Sequence, residues 1–165
     1  MIDNGIISSQ HLGLFTLLPL GVRAVEKLIK LLDLQMKKVN GQKLSLPFLT
    51  SASLWKKSGR LETCGAEIMS LKDRHNHHLI LSPTHEEAIT DLVSSENLVQ
   101  SNLPVRLYQI ASKFRDEMRL KHGLMRGREF VMKDLYTFDE NLERAQYTYE
   151  EICKTYMNIF NILGL

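Results

Sequence analysis

Cysteine is scarce in this 165-residue chain: Cys64 and Cys153 are the only two, far apart and without C-x-x-C or Cys/His ligand spacing. Neither a disulfide framework nor a zinc site is indicated, and a reducing compartment suits the sequence best. An excess of one charge is missing too, since 21 Lys and Arg stand against 19 Asp and Glu. With no global field to draw in nucleic acid or a membrane surface, any basic site must be local. Long hydrophobic runs are also lacking. The longest, Leu14 to Leu20 and Leu28 to Leu34, are broken by Thr16, Pro19, Lys30 and Asp33, so neither could span a bilayer. Residues 1–10 carry Asp3 and no Lys or Arg, which fits neither a secretory signal nor an Arg-rich mitochondrial presequence. No repeat, low-complexity tract or linker interrupts the chain, and its 44% hydrophobic content suffices for one ordinary soluble domain.

What is present reads as an alternation of helices and strands. Val22, Val25, Leu28, Ile29, Leu32, Met36 and Val39 recur at helical spacing, with Lys37, Lys38 and Asn40-Gly41 closing the C-terminus. Lys43 to Leu49 alternates Leu44, Leu46 and Phe48 against Lys43 and Ser45, and Pro47 removes a ladder donor, so the expectation is one edge strand. Between residues 50 and 76 only a brief helix near Leu54-Trp55 is legible. A strand at His78 to Leu81 runs into Ser82-Pro83-Thr84-His85-Glu86-Glu87, and Ala88, Ile89, Leu92 and Val93 then give helical spacing. Leu107 to Glu117 and Arg126 to Asp134 both alternate and form an expected antiparallel hairpin. A last helix spans Asn141 to Leu163, started by Asp139 and ended near Gly164.

Period-two geometry places Gln109, Ala111, Lys113, Arg115 and Glu117 on one face of the first hairpin strand, with Tyr108, Ile110 and Phe114 on the other. The same rule groups Arg126, Arg128, Phe130 and Met132 on the returning strand. A polar surface with arginines, a carboxylate and an aromatic ring suits a nucleotide: guanidinium forks match phosphate oxygens, a carboxylate accepts from an adenine amino group, and phenyl stacks on the base. The plainer reading is a set of cross-strand ion pairs on a solvated sheet face.

The string itself favours the nucleotide. Phe114-Arg115-Asp116-Glu117, a basic loop with Lys121 and His122, and then Arg126-Gly127-Arg128-Glu129-Phe130 resembles motif 2 of the class II aminoacyl-tRNA synthetases. That resemblance implies that Arg115 holds the ATP α-phosphate and the amino-acid carboxylate, Glu117 meets the adenine amino group, Arg126 holds the γ-phosphate and Phe130 stacks on adenine. Arg128 stands outside the motif. Ser82 to Glu87 resembles the T-x-E loop of prolyl-tRNA synthetases, which implies that Thr84 and Glu86 hold the ring nitrogen of proline. Thr84-x-x-Glu87 also has the letters of a capping box, and Ser82-Pro83 could serve as N-cap and N1 instead. The resemblance continues through Gly13 to Gly21, Leu54-Trp55, Ser58-Gly59-Arg60, Asp73-Arg74 and Met132-Lys133-Asp134, and so covers nearly the whole chain.

The resemblance therefore implies an α+β fold, an antiparallel sheet flanked by helices. It also implies ATP with Mg²⁺, proline and the proline tRNA as reactants, in a mitochondrial matrix or a bacterial-type cytoplasm. The 22–39 helix with the 43–49 strand resembles motif 1, which implies a homodimer. Residues 1–165 show no Gly-rich motif 3 and no anticodon-binding segment, so the expectation is a catalytic domain incomplete on its C-terminal side and inactive alone. The alternative is a non-catalytic binding or dimerisation module. His75-x-His77-His78 lacks a fourth ligand at metal spacing, and no metal ligand is assigned. Trp55 and the Tyr147, Tyr149, Tyr156 stripe are expected to pack in partly buried faces.

Overall fold

The structure, a computed structural model, describes residues 1–96, 102–121 and 123–165. His122, expected in the basic loop, lies outside them. A short antiparallel hairpin of β1 (Ile7–His11) and β2 (Leu14–Leu17) leads into α1 (Pro19–Lys38). Pro19 in the first turn needs no N–H partner and presets φ for the helix. The helix closes as expected, with Asn40 at φ +53° and Gly41 N–H donating to Met36 O at 2.9 Å.

The expected 43–49 strand is two pieces in two sheets. β3 (Gln42–Lys43) pairs parallel to β7 (Val105–Phe114), while β4 (Leu49–Ser51) pairs antiparallel to β6 (His78–Leu81). Proline is the physical reason for the break: Pro47 has no N–H for a ladder, and the chain around it bonds outside one. Leu46 N–H donates to the Gln109 side chain, and Pro47 O accepts from His85.

The least legible segment is not without structure. Residues 50–76 contain α2 (Ala52–Lys57), α3 (Arg60–Thr63) and β5 (Met69–Lys72), the last paired with β6. Trp55 is buried with Ala52 and Ile80, and its indole N–H donates to Thr50 Oγ1 at 3.1 Å. The turn from β5 to β6 is tied by Asp73, whose carboxylate accepts from the backbone N–H groups of His75 and His77 and meets the His77 ring at 2.8 Å. His75 and His77 thus belong to a turn and His78 opens β6, and no group of three metal-ligating side chains occurs among the described residues.

The central sheet has the order β3-β7-β8, with β8 (Glu129–Phe138) antiparallel to β7 over ten residue pairs. The returning strand therefore begins at Glu129, not at Arg126. On the Tyr108 and Leu135 face of this sheet lie α1 and α5 (Leu142–Leu163), sharing a core of Met36, Val39, Tyr108, Ile152 and Ile159. The N-cap of α5 is Asn141, whose side chain accepts from Arg144 N–H. Asp139, the expected starter, instead accepts from the Thr148 hydroxyl at 2.6 Å. Tyr147 and Tyr149 are 65% and 68% exposed, contrary to expectation, because the buried stripe of α5 runs through Thr148, Ile152 and Ile159. Tyr156 alone of the three packs on the core.

Candidate active site

Two places carry the residues singled out from sequence: the open end of the β7–β8 hairpin and the turn that leads from β6 into α4 (Glu86–Ser95). At the hairpin end the ladder continues one step beyond Phe114, with Arg115 N–H donating to Arg128 O at 2.9 Å. Gly127 then crosses the β1–β2 turn so closely that a Cβ would stand 2.9 Å from Gly13 O, a spacing only glycine tolerates. Arg128 N–H donates to that same carbonyl at 2.8 Å.

Arg115, Glu117, Arg126 and Phe130 come together around one open cavity of about 320 Å³. The Arg115 guanidinium lies 5.3 Å above the Phe130 ring and leans on Pro83 O through Nε and Nη2 at 3.4 and 3.3 Å. Its Nη1 has no hydrogen-bond partner among the described residues. Arg126 donates from Nε and Nη2 to a single oxygen of Glu117, at 2.8 and 2.7 Å. The other Glu117 oxygen is left to accept from a ligand, although the residue is nearly buried. Arg128 stays apart, leaning on Asp116 at 3.5 Å.

Thr84 and Glu86 occupy a different wall. Glu86 lines a second cavity of about 340 Å³ with Arg60, Glu87 and Asp91, while Thr84 is buried beside it. The structure links this wall to the first through Pro83, which touches Arg115. The N-cap position of α4 falls on His85 and no side chain caps it, so neither the Thr84-x-x-Glu87 capping box nor a Ser82 N-cap is formed. Arg60 is what holds the acidic pair: its Nη1 reaches Glu86 at 3.0 Å and Glu87 at 3.1 Å, with its plane over Trp55 at 5.2 Å. Burial alone would raise the Glu86 pKa, but hydrogen bonds from Thr84, its own backbone N–H and Arg60 outweigh it and hold the carboxyl below the usual range. Glu86 is an ionised acceptor with a hydroxyl at its side, a pair chemically suited to an ammonium group.

Beneath both walls lies a network that sequence reasoning missed. The hairpin face expected to be polar is polar and buried, not the solvated sheet face of the plainer reading, because the 82–85 turn and the segment around Pro47 lie against it. Register sets Gln109 opposite Asp134 and Lys113 opposite Phe130. Asp134 Oδ2 accepts from Tyr136 OH at 2.6 Å and Gln109 Nε2 at 3.1 Å, and pairs with Lys113 Nζ at 3.2 Å. Lys113 Nζ also meets His85 Nδ1 at 2.6 Å, and His85 N–H donates to Tyr136 OH at 3.2 Å. Period-two alternation already put Gln109 and Lys113 on the face of Arg115; nothing in it disclosed that the face would be roofed.

Residues 69–165 match the family described as tRNA synthetase class II core domain (G, H, P, S and T). A probable mitochondrial proline–tRNA ligase of Rattus norvegicus is 48% identical over 166 residues, covering 100% of this chain and 35% of its own length. A proline–tRNA ligase of Lysinibacillus sphaericus is 46% identical over 161 residues, covering 98% of this chain and 28% of its own. Among solved structures, Giardia lamblia prolyl-tRNA synthetase in complex with prolyl-adenylate superposes with a TM-score of 0.88 at 22% identity, over 96% of this chain and 34% of that one. The prolyl-tRNA synthetase of Cryptosporidium parvum, complexed with halofuginone and AMPPNP, gives 0.86 at 18% identity, over 98% and 33%. The chain thus spans about a third of the length of these relatives.

Proposed function

The chain belongs to the class II tRNA synthetase core-domain family, and from that premise we propose that it carries the proline- and ATP-binding part of a proline–tRNA ligase catalytic domain. The observation that carries this reading is the convergence of Arg115, Glu117, Arg126 and Phe130 on one cavity. The reaction joins the proline carboxylate to the ATP α-phosphate, releasing pyrophosphate, and then passes the prolyl group to the 3′ adenosine of the proline tRNA. Two anions must approach in line, so alignment and charge neutralisation are the main demands on the protein.

Arg115 meets both demands by bridging the carboxylate and the α-phosphate. Its hold on Pro83 O and on the Phe130 ring is weak enough to exchange for charge-assisted bonds: a partly exposed cation–π contact contributes about 0.5–1 kcal/mol, against roughly 1.5–3 kcal/mol for a hydrogen bond to a charged group. As the guanidinium moves to phosphate, the Phe130 face opens to adenine. Arg126 swings from Glu117 toward the γ-phosphate, which frees Glu117 for the adenine amino group. Thr84 and Glu86 take the ring nitrogen of proline. The described residues gather no carboxylate cluster for the Mg²⁺ expected with the nucleotide, so no side chain is assigned to the ion and no step is drawn through it.

The motif 1 reading, a homodimer through residues 22–39 and the 43–49 segment, is supported by apolar side chains left exposed on α1: Leu20, Val22, Leu28 and Leu34. The same exposed side chains are what favour the second reading, a non-catalytic dimerisation module. Mitochondrial and bacterial relatives support a matrix or bacterial-type cytoplasmic setting. The test is ATP–pyrophosphate exchange, scanned over the amino acids, for the chain alone and for a hybrid in which it replaces the 166 aligned residues of the rat protein. The ligase reading expects exchange that requires proline in the hybrid and none in the chain alone, whose residues include no motif 3. A hybrid that is folded but inert with every amino acid favours the module.

A further inference from the structure

The roles proposed for the site leave unused a fully buried cation next to it. Lys113 is fully buried, a rare placement for lysine unless it is paired, and burial pushes its pKa down against the pull of Asp134. Its ammonium sits between the Asp134 carboxylate and the His85 ring, at 3.2 and 2.6 Å. The opposite ring nitrogen, Nε2, lies 3.0 Å from Pro47 O. A carbonyl only accepts, so the proton is on Nε2, and Nδ1 offers its lone pair to Lys113. One tautomer of His85 therefore joins the Pro47 segment to β7. The backbone N–H of the same residue is held by Tyr136 OH, itself fixed on Asp134.

His85 is thus tied at three points, and it stands between Thr84 and Glu86. We propose that Lys113 is a positioning residue for amino-acid selection: by fixing His85 it holds the 82–86 turn so that Thr84 and Glu86 face the ring nitrogen of the substrate. The inference rests on the reading that those two residues hold that nitrogen. Arg115, two residues along the strand from Lys113, acts on the nucleotide side and on the carboxylate. A positioning role therefore predicts a loss confined to the aminoacyl part of the ligand.

The test uses the chain of 165 residues and two probes, prolyl-sulfamoyl-adenosine and 5′-sulfamoyladenosine, which lacks the amino acid. Lys113→Met alone strands Asp134 as a buried unpaired carboxylate, so the double variant Lys113→Met/Asp134→Asn carries the measurement. It is expected to bind the prolyl probe about tenfold more weakly, the worth of one hydrogen bond, with sulfamoyladenosine affinity unchanged. His85→Ala should behave the same way. His85→Asn, which keeps an acceptor near the Nδ1 position, should recover most of the loss. Imidazole ¹⁵N spectra should show the Nε2–H tautomer in the wild type. A folded double variant, or a folded His85→Ala, with full prolyl-probe affinity overturns the inference, as does an equal loss for both probes, the mark of a merely structural role. A wild type that binds the prolyl probe no better than sulfamoyladenosine overturns the Thr84/Glu86 reading and the inference with it, whereas an intact wild-type preference that survives every variant overturns the inference alone.

Discussion

The two faces of the β7–β8 hairpin are built from the same ladder and do opposite work. One face sets Tyr108 and Leu135 against Met36, Val39, Ile152 and Ile159, a mainly apolar contact between sheet and helices that tolerates hydrophobic replacements of similar volume, with polar links from Tyr108 OH to Asp33 and from Lys133 Nζ to Tyr156 OH. The other face buries Gln109, Lys113 and Asp134, where each group depends on a partner of matching charge and direction. Apolar packing is tolerant and holds the hairpin in place; polar burial is exacting and holds the residues proposed to meet a substrate. A strand pair that has to place Arg115 beside the 82–86 turn, which it touches at Pro83 O, gains direction from the second face that the first cannot give.

Substitutions separate these two kinds of work. The largest expected effect is Arg115→Ala in the hybrid enzyme, which should lower proline-dependent exchange by roughly two to three powers of ten, as removal of a preorganised transition-state charge does. An unchanged rate would break the motif 2 assignment. On the apolar face, Ile159→Ala should cost about 2–5 kcal/mol of stability through lost burial and a residual cavity, measured by urea unfolding. Its folded fraction should still bind prolyl-sulfamoyl-adenosine with wild-type affinity; a selective loss of binding would show that the two faces are not separable.

Glu86→Gln keeps shape and removes charge, so affinity for proline should fall by about 1.5–3 kcal/mol while the unfolding midpoint barely moves. Proline affinity that stays level would remove the substrate role. The smallest effect is a pH dependence. Burial is the main cause that lowers the His85 pKa, with the Lys113 charge adding to it against the Pro47 hydrogen bond and the Asp134 and Glu86 carboxylates. Since the folded pKa lies below the unfolded value of about 6.5, the unfolded chain binds the extra proton in that window. Stability from neutral His85 is complete above about pH 6.5 and falls, by at most about 1.4 kcal/mol per pH unit, as the pH drops toward the folded value. Urea unfolding at several pH values should show this slope in the wild type, reduced in His85→Asn.

Sequence patterning reached some of this and missed the rest for definite reasons. The hairpin, α1 and α5 follow from period two and period 3.6, and the cavity residues follow from the letters of motif 2. By sequence Pro47 marks an edge strand and in the fold it divides two sheets, because a missing donor says only that a ladder fails there. β5 is exposed along all but its first residue, so no buried face marks it as a strand. The Thr84-x-x-Glu87 ambiguity was real in one dimension and is removed in three, since Arg60 from α3 holds Glu87 and Tyr136 from β8 takes the His85 N–H. The Lys113 network stayed hidden because alternation assigns residues to faces and cannot say which face another element covers.

The most direct measurement of the central claim, that the open end of the hairpin is the nucleotide and amino-acid wall of a class II active site, is calorimetric titration of prolyl-sulfamoyl-adenosine into the wild-type chain and into Arg115→Ala. Saturable one-to-one binding that ATP competes away, and that weakens by at least about tenfold in Arg115→Ala, is the predicted result. Binding that is absent from the folded wild type, or that is indifferent to Arg115, would contradict it.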